Sequence, residues 1–329
     1  MTHLKRLCMG LAYLATAVGL CGPALAQLPT QDLMSIPRDE TRLHRIDRAT
    51  GETLSTLSIQ VPPSANCDLI GGNGLATSPL TEELFAILRC GFRDGPRLLA
   101  TIDTFTGVAK VIGDMGDKFA GLAFTPAGVL LAVSGRGATI GDTLFAVSTG
   151  DATSTPICRL QSNPPSGGGQ ALAFSPSAGL LFNANGNLDF SKRSFQSIDS
   201  LTPTDPLAPC PTTQRGPSGD PYIEATAMVF SGASFLLGDL GDATDGDFYR
   251  ITNDGVAAKL GAMDHVSRGL AFTSGPAKIC YRVRKAEGNP GRSDVVIEDL
   301  IVGERPAQLR LNRPFIVCVP GGIRYIQNP

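Results

Sequence analysis

The 329-residue chain has no tryptophan, only three histidines and few aromatic residues, 6% in all. Without an indole the chain lacks the residue on which quinone cofactors stack in proteins that carry them on tryptophan. One histidine, His3, lies in a segment read below as removable, so His44 and His265 alone remain and a multi-histidine metal centre lacks its ligands. A Ser-His-Asp hydrolase would have to use one of these two, and no G-x-S-x-G elbow is present. No two cysteines show C-x-x-C spacing, which argues against a redox dithiol or a zinc ribbon. Beyond Leu20 no apolar run approaches the roughly 20 residues of a membrane helix.

Lys5 and Arg6, the apolar stretch from Leu7 to Leu20, and Ala24-Leu25-Ala26 before Gln27 form the three parts of a cleavable export signal. Residues 1–26 are read as that signal, and the product as secreted or periplasmic. Leu20 ahead of Cys21 is too large for a lipid-attachment signal. Removal of the segment leaves 26 basic and 30 acidic residues, a net charge of −4, which disfavours a nucleic-acid partner, since phosphate binding needs a clustered basic surface. Six cysteines remain: Cys67, Cys90, Cys158, Cys210, Cys280 and Cys318. An even number in an exported chain reads as three disulfides, and the repeats described next favour sequential pairing.

Gly121-Leu122-Ala123-Phe124-Thr125-Pro126 recurs as Ala171-Leu172-Ala173-Phe174-Ser175-Pro176, as Ala227-Met228-Val229-Phe230 and as Gly269-Leu270-Ala271-Phe272-Thr273, with a fainter copy at Gly74-Leu75-Ala76-Thr77. This 42 to 56 residue spacing is the period of a four-stranded propeller blade. After each copy come further β-type segments divided by turn residues. Among these, Leu43 to Asp47 and Leu99 to Asp103 echo one another and lead into Ala49-Thr50-Gly51 and Phe105-Thr106-Gly107. The last repeat, Gly269 to Phe272, has no blade after it, while Leu33 to Ile36, Leu43 to Asp47 and Leu54 to Ile59 have no repeat ahead of them. Joined, the two ends make one composite blade and close a ring with no exposed sheet edge. The expectation is an all-β, five-bladed β-propeller over residues 27–275.

These motifs resemble the broad family of bacterial secreted β-propellers with degenerate G-L-A-F-x-P and L-x-x-I-D-x-x-T-G blade repeats. The resemblance spans Leu33 to Thr273 and implies an architecture, not an activity. Absence of tryptophan sets the chain apart from the quinoprotein propellers. From Lys278-Ile279-Cys280-Tyr281-Arg282-Val283 to Val317-Cys318-Val319-Pro320 the segment 276–329 is similar to small β modules with a C-Y-K-V start and an L-C-V-P finish, here with Arg282 for the lysine. A unit of this size needs a staple, which Cys280 and Cys318 would supply.

In a propeller the loops between blades and those between second and third strands share one face, where ligands usually bind. Just ahead of the inner strands stand Asn73, Lys118, Gln170, Glu224 and Arg268, a set able to hold a polar or anionic small molecule. Asp239, Asp242, Asp245 and Asp247, on a glycine-containing loop, offer hard oxygen ligands for Ca2+ without the spacing or the final Glu of an EF-hand. Asn183, Asn185, Asn187 and Asp189 form a weaker version. His265 beside Asp264 is a candidate general base, and Phe124, Phe174, Phe230 and Phe272 are read as blade core. The functional expectation is a non-catalytic, monomeric binding or surface-associated protein whose partner is a protein, glycan or small molecule. A calcium-dependent propeller hydrolase of the lactonase or glycosidase kind is the alternative.

Overall fold

The structure is a computed structural model that describes residues 31–91, 95–135, 137–160, 169–186, 193–202, 208–215, 223–241 and 245–274, and the strand backbones of a C-terminal sheet. The described residues open with β1 (Gln31–Pro37), β2 (Arg42–Ile46) and β3 (Thr53–Ser58). Blade 1 follows as β4 (Leu69–Thr77), β5 (Leu84–Cys90), β6 (Arg97–Ile102) and β7 (Ala109–Asp114). Blade 2 is β8 (Phe119–Phe124), β9 (Leu130–Ser134), β10 (Thr143–Val147) and β11 (Ser154–Arg159). Blade 3 is β12 (Gly169–Ser175), β13 (Leu180–Gly186), β14 (Ser194–Ile198) and β15 (Thr212–Gln214). Blade 4 is β16 (Ala225–Ser231), β17 (Ser234–Asp239), β18 (Gly246–Thr252) and β19 (Ala257–Met263). The inner strand β20 (Ser267–Ser274) then pairs with β1 in the sheet order β20-β1-β2-β3, with Leu33 opposite Phe272 and Ser35 opposite Leu270. The fold is a five-bladed β-propeller closed by that composite blade.

Each gap between neighbouring blades is filled by its own apolar cluster. Phe119, Phe145 and Ile87 join blades 1 and 2; Phe182, Phe195 and Phe235 join blades 3 and 4. Leu33, Leu270 and Phe248 join blade 4 to the closing blade, which meets blade 1 through Ile36, Leu43 and Leu88. Because middle strands are covered on both faces, they read as unbroken apolar runs such as Leu84 to Leu88 and Leu130 to Val133, not as an alternation. The outermost strands are far more exposed, as β3 shows. At the axis the inner strands converge so closely that a Cβ on Gly121 would sit 2.8 Å from the Gln170 carbonyl. That crowding is why the repeat begins with glycine or alanine.

The D-x-x-T-G echo is a turn device. Asp47 Oδ1 accepts from the N–H groups of Ala49 (2.7 Å) and Thr50 (3.0 Å), and Asp103 Oδ1 does the same for Phe105 (2.9 Å) and Thr106 (2.8 Å). The glycine that follows takes the left-handed conformation, φ +83° at Gly51 and +77° at Gly107.

Two disulfides join Cys67 to Cys90 and Cys158 to Cys210, with Cα separations of 4.9 and 5.0 Å. The second ties β11 of blade 2 to the segment just ahead of β15 in blade 3, where the Arg159 N–H donates to the Ala208 carbonyl and the Cys210 N–H to the Arg159 carbonyl. The C-terminal sheet has β21 (Lys278–Lys285), β22 (Asp294–Glu298), β23 (Gln308–Arg310) and β24 (Ile316–Pro320) in the order β23-β22-β21-β24. Cys280 and Cys318 are register partners there, and their side chains lie outside the described residues.

Gly107 and Gly116 both have positive φ, but a Cβ at Gly107 would overlap the Ser58 carbonyl while one at Gly116 meets nothing within 4 Å. Urea unfolding should therefore show Gly116→Ala losing about 1 kcal/mol and Gly107→Ala clearly more. Equal losses would mean that conformation alone, and not the packing of this turn on β3, requires the glycine.

Candidate functional site

The inner strands run from a top face to a bottom face, and the second and third strands of each blade turn back at the top. Midway down the axis Leu75, Leu122, Leu172, Met228 and Leu270, all buried, close the channel and leave a void of about 10 Å³, no more than one water occupies. Below that plug lies an apolar funnel of about 450 Å³, lined by Phe124, Phe174, Phe230, Phe272 and Thr77, with Pro79, Pro126 and Pro176 around it. The repeat phenylalanines are thus only half core. One side of each ring packs into an apolar cluster, as with Phe124 against Phe85 of the neighbouring blade at 5.2 Å, while the ring also walls the funnel. Sequence reading missed this because a period of two does not tell the axis from the interior of a blade.

Above the plug the chemistry is polar. Asn73 Nδ2 donates to the Phe119 carbonyl at 2.9 Å, tying blade 1 to blade 2. Gln170 is fully buried: its Nε2 donates to Asp142 Oδ1 at 2.7 Å and its Oε1 accepts from Asn183 Nδ2 at 2.9 Å. Both residues are inter-blade staples. Lys118 leads into β8 with its ammonium stem along Gly137. Glu224 pairs with Arg193 at 3.3 Å, yet its carboxyl sits above the ordinary value because burial outweighs the attraction of Arg193 and Arg268.

Arg268 differs from the other four. Its Nε is sealed from solvent without a partner, and among the described residues the side chain makes no hydrogen bond or ion pair. Arg45 and Arg97 also leave Nε unpaired, but each engages an acceptor through Nη1, Asp32 for Arg45 and the Gly95 carbonyl for Arg97. Burial, then repulsion from Arg38 and from Arg89, draws the Arg268 guanidinium down to about 10, against the opposing pull of Glu224 and Asp39. It stays charged at neutral pH. Arg38 and Arg89 share Asp39, at 3.1 Å each, so with Glu224 two carboxylates face two other cations and the charge of Arg268 itself is the one in excess.

The aspartate loop is not brought together as a ligand set among the described residues. Asp239 is buried, and its Oδ1 accepts from the backbone N–H of Glu224 at 2.7 Å and from that of Leu240. Burial pushes its carboxyl upward. Asp247 pairs with Lys259 at 2.7 Å and accepts from the Tyr249 hydroxyl at 3.2 Å. Asp245 is exposed, and Asp242 lies outside the described residues. Of the weaker set, Asn183 and Asn185 are buried, and Asn187 and Asp189 also lie outside.

A second constellation joins the two histidines, which stand 221 positions apart in sequence. His44 on β2 and His265 ahead of β20 are 4% and 2% exposed, with ring centroids 4.1 Å apart. Asp264 Oδ1 lies 2.8 Å from His265 Nδ1 and accepts from the Thr53 hydroxyl at 2.6 Å. Burial, and then His265, lowers the His44 imidazole, while the hydrogen bonds from Thr53 and His265 hold Asp264 low against its partial burial. Ser35 Oγ lies 2.7 Å from His265 Nε2, so Ser35, His265 and Asp264 have the spacing of a hydrolase triad. Ser35 has no exposed surface, however, and its hydroxyl donates to Ser267 at 2.8 Å. A nucleophile with its proton so engaged and no path to substrate does not attack, and His265 is no general base for it.

No protein-family model and no curated protein sequence matches the chain. Among solved structures, TolB from Acinetobacter baumannii is similar over 88% of this chain and 65% of its own, with a TM-score of 0.44 and 12% identity. An auxiliary nutrient binding protein from Bacteroides thetaiotaomicron is similar over 83% of this chain and 67% of its own, with a TM-score of 0.43 and 12% identity. Neither likeness extends to a ligand or partner.

A carboxyl raised in the folded state holds its proton more tightly there than in the unfolded chain. The stability that Glu224 contributes is therefore fully present below its ordinary value of 4.5 and is lost as pH climbs through the raised one. Glu224→Gln should remove that loss. Urea unfolding is expected to show the variant gaining on the wild type between acid and neutral pH; a difference independent of pH would refute the raised value.

Proposed function

We propose that this chain is an exported, non-catalytic binding protein that takes an anionic small molecule at the top of its axis, with Arg268 as the anchoring charge. The observation that carries the reading is an arginine above the axial plug, its Nε sealed from solvent and unpaired, with two more arginines in its field. A guanidinium with its Nε sealed from solvent and unpaired costs stability, and a carboxylate, sulfate or phosphate on it would offset that penalty through paired, charge-assisted hydrogen bonds. The plug forms the floor of the site, and Glu224 with Arg193 forms one wall. Asn73 and Gln170 hold the rim by fixing blade against blade. Lys118 adds a cation at the same face. Two disulfides support export, since such bonds persist in oxidising compartments. Among the described residues no helix is long and apolar enough to cross a membrane.

Thermal unfolding of the mature protein with phosphate, sulfate and succinate in turn tests this reading. An anion held at a hundredfold over its dissociation constant adds about 2.7 kcal/mol, a rise of several degrees in the midpoint. Arg268→Gln should weaken binding by about 1.5–3 kcal/mol, roughly tenfold or more, and should raise the midpoint of the anion-free protein by removing the unpaired charge. A wild type indifferent to every anion, or a variant that responds equally, would rule the site out.

A further inference from the structure

The hydrogen-bond chain around the two histidines is short of protons. Ser267 donates to the Gly269 carbonyl at 3.2 Å and Ser35 donates to Ser267, so Ser35 can only accept from His265 Nε2. The hydroxyl proton of Thr53 goes to Asp264, so Thr53 can only accept from His44 Nδ1, 3.2 Å away. Glu40 Oε2, 3.3 Å from His44 Nε2, is an acceptor as well, and so is Asp264 against His265 Nδ1. Two neutral imidazoles offer two N–H groups to these four acceptors. Supplying the deficit with protons would place two imidazolium charges side by side, with ring centroids 4.1 Å apart and both rings buried.

One divalent cation supplies the same charge at a single point. With each Nε2–H kept on its oxygen, Ser35 for His265 and Glu40 for His44, both Nδ1 lone pairs are left on the side of Thr53 and Asp264. A second oxygen holding the far N–H is the arrangement that metal-bound histidines adopt. One ligand atom from each of His44, His265 and Asp264 lies within 4.8 Å of the other two, and among the described residues this is the one such group. The Asp264 carboxylate is 62% exposed, and its Oδ1 already lies 2.8 Å from His265 Nδ1. Two imidazoles and a carboxylate suit zinc and its neighbours, not calcium.

We propose that His44, His265 and Asp264 bind a divalent ion of the zinc class, leaving a fourth position for water, and that the ion clasps the closure of the ring. His44 and its supports come from the first of the described strands, and Asp264 and His265 from the approach to the last propeller strand. An ion bound to all three therefore crosslinks the two ends that must meet for the propeller to close. This site is separate from the anion site above and does not depend on it.

Competition between the metal-free mature protein and a chromophoric chelator for Zn2+ reads the site directly. One equivalent is expected, with Asp264→Asn and His44→Gln each weakening it at least tenfold, and Glu40→Gln weakening it roughly 10–100-fold through His44. Zn2+ should raise the thermal midpoint of the wild type by several degrees, reversibly with a chelator, and leave that of Asp264→Asn unmoved. Asp264 is exposed and its replacement nearly isosteric, so that variant decides the matter even if His44→Gln does not fold. Less than one equivalent bound, or undiminished binding by Asp264→Asn, overturns the proposal.

Discussion

The pairing of β1 with β20 is the constraint on which the rest depends. A row of four-stranded sheets could stack indefinitely, each burying one face on the next, but its two ends would expose an apolar face apiece. Closure removes both. The register that sets Leu33 against Phe272 builds a blade from segments more than two hundred residues apart, and that blade meets blade 1 through Ile36 and Leu43 and blade 4 through Leu33 and Leu270. The entropy lost in bringing such distant segments together grows only slowly with the length of the loop between them. Two apolar interfaces are gained in return, and ring and closing blade become one cooperative unit.

Closure also dictates what the axis can hold. With five inner strands converging, backbones come so close that the first repeat position tolerates only a small residue, and the second, a leucine or methionine, meets its counterparts on the axis. The plug that results divides the channel into two unlike halves. Below it, the fourth repeat position turns its phenylalanines to the axis and makes an apolar funnel. Above it the chain enters from irregular loops, free of the repeat, and there Asn73, Gln170, Glu224 and Arg268 each differ from the others. A repeat can specify a wall; a site needs its exceptions.

Much of the architecture was legible because it rests on local signals. A tetrapeptide recurring at blade spacing named the inner strands, and the unmatched ends foretold the composite blade. Sequential pairing held for Cys67 with Cys90 and for Cys158 with Cys210. Site chemistry was less legible, because what a polar side chain does depends on which neighbour it finds. Asn73 and Gln170 occupy equivalent places to Arg268, yet two found backbone or amide partners across a blade boundary and the third found none. Nothing local distinguishes those outcomes. The same holds for His44 and His265: counting two histidines argues against a multi-histidine centre, and only the closure register shows that the two share one pocket.

Both candidate sites, the one around Arg268 and the one around the histidine pair, draw on the closing blade. Arg268 lies on β20 with Arg38 just past β1 and Arg89 on β5, and the histidine pair bridges β2 to the approach to β20. Blades 1 to 4 are each made of contiguous chain and can fold against themselves. The closing blade exists only when the ring does, so any ligand that needs Arg268 in its field, or both imidazoles at once, binds the closed ring and not the open one. By linkage its binding free energy adds to that of closure. A site built on this seam therefore reports occupancy as stability, which ties the binding chemistry of the molecule to the integrity of its fold.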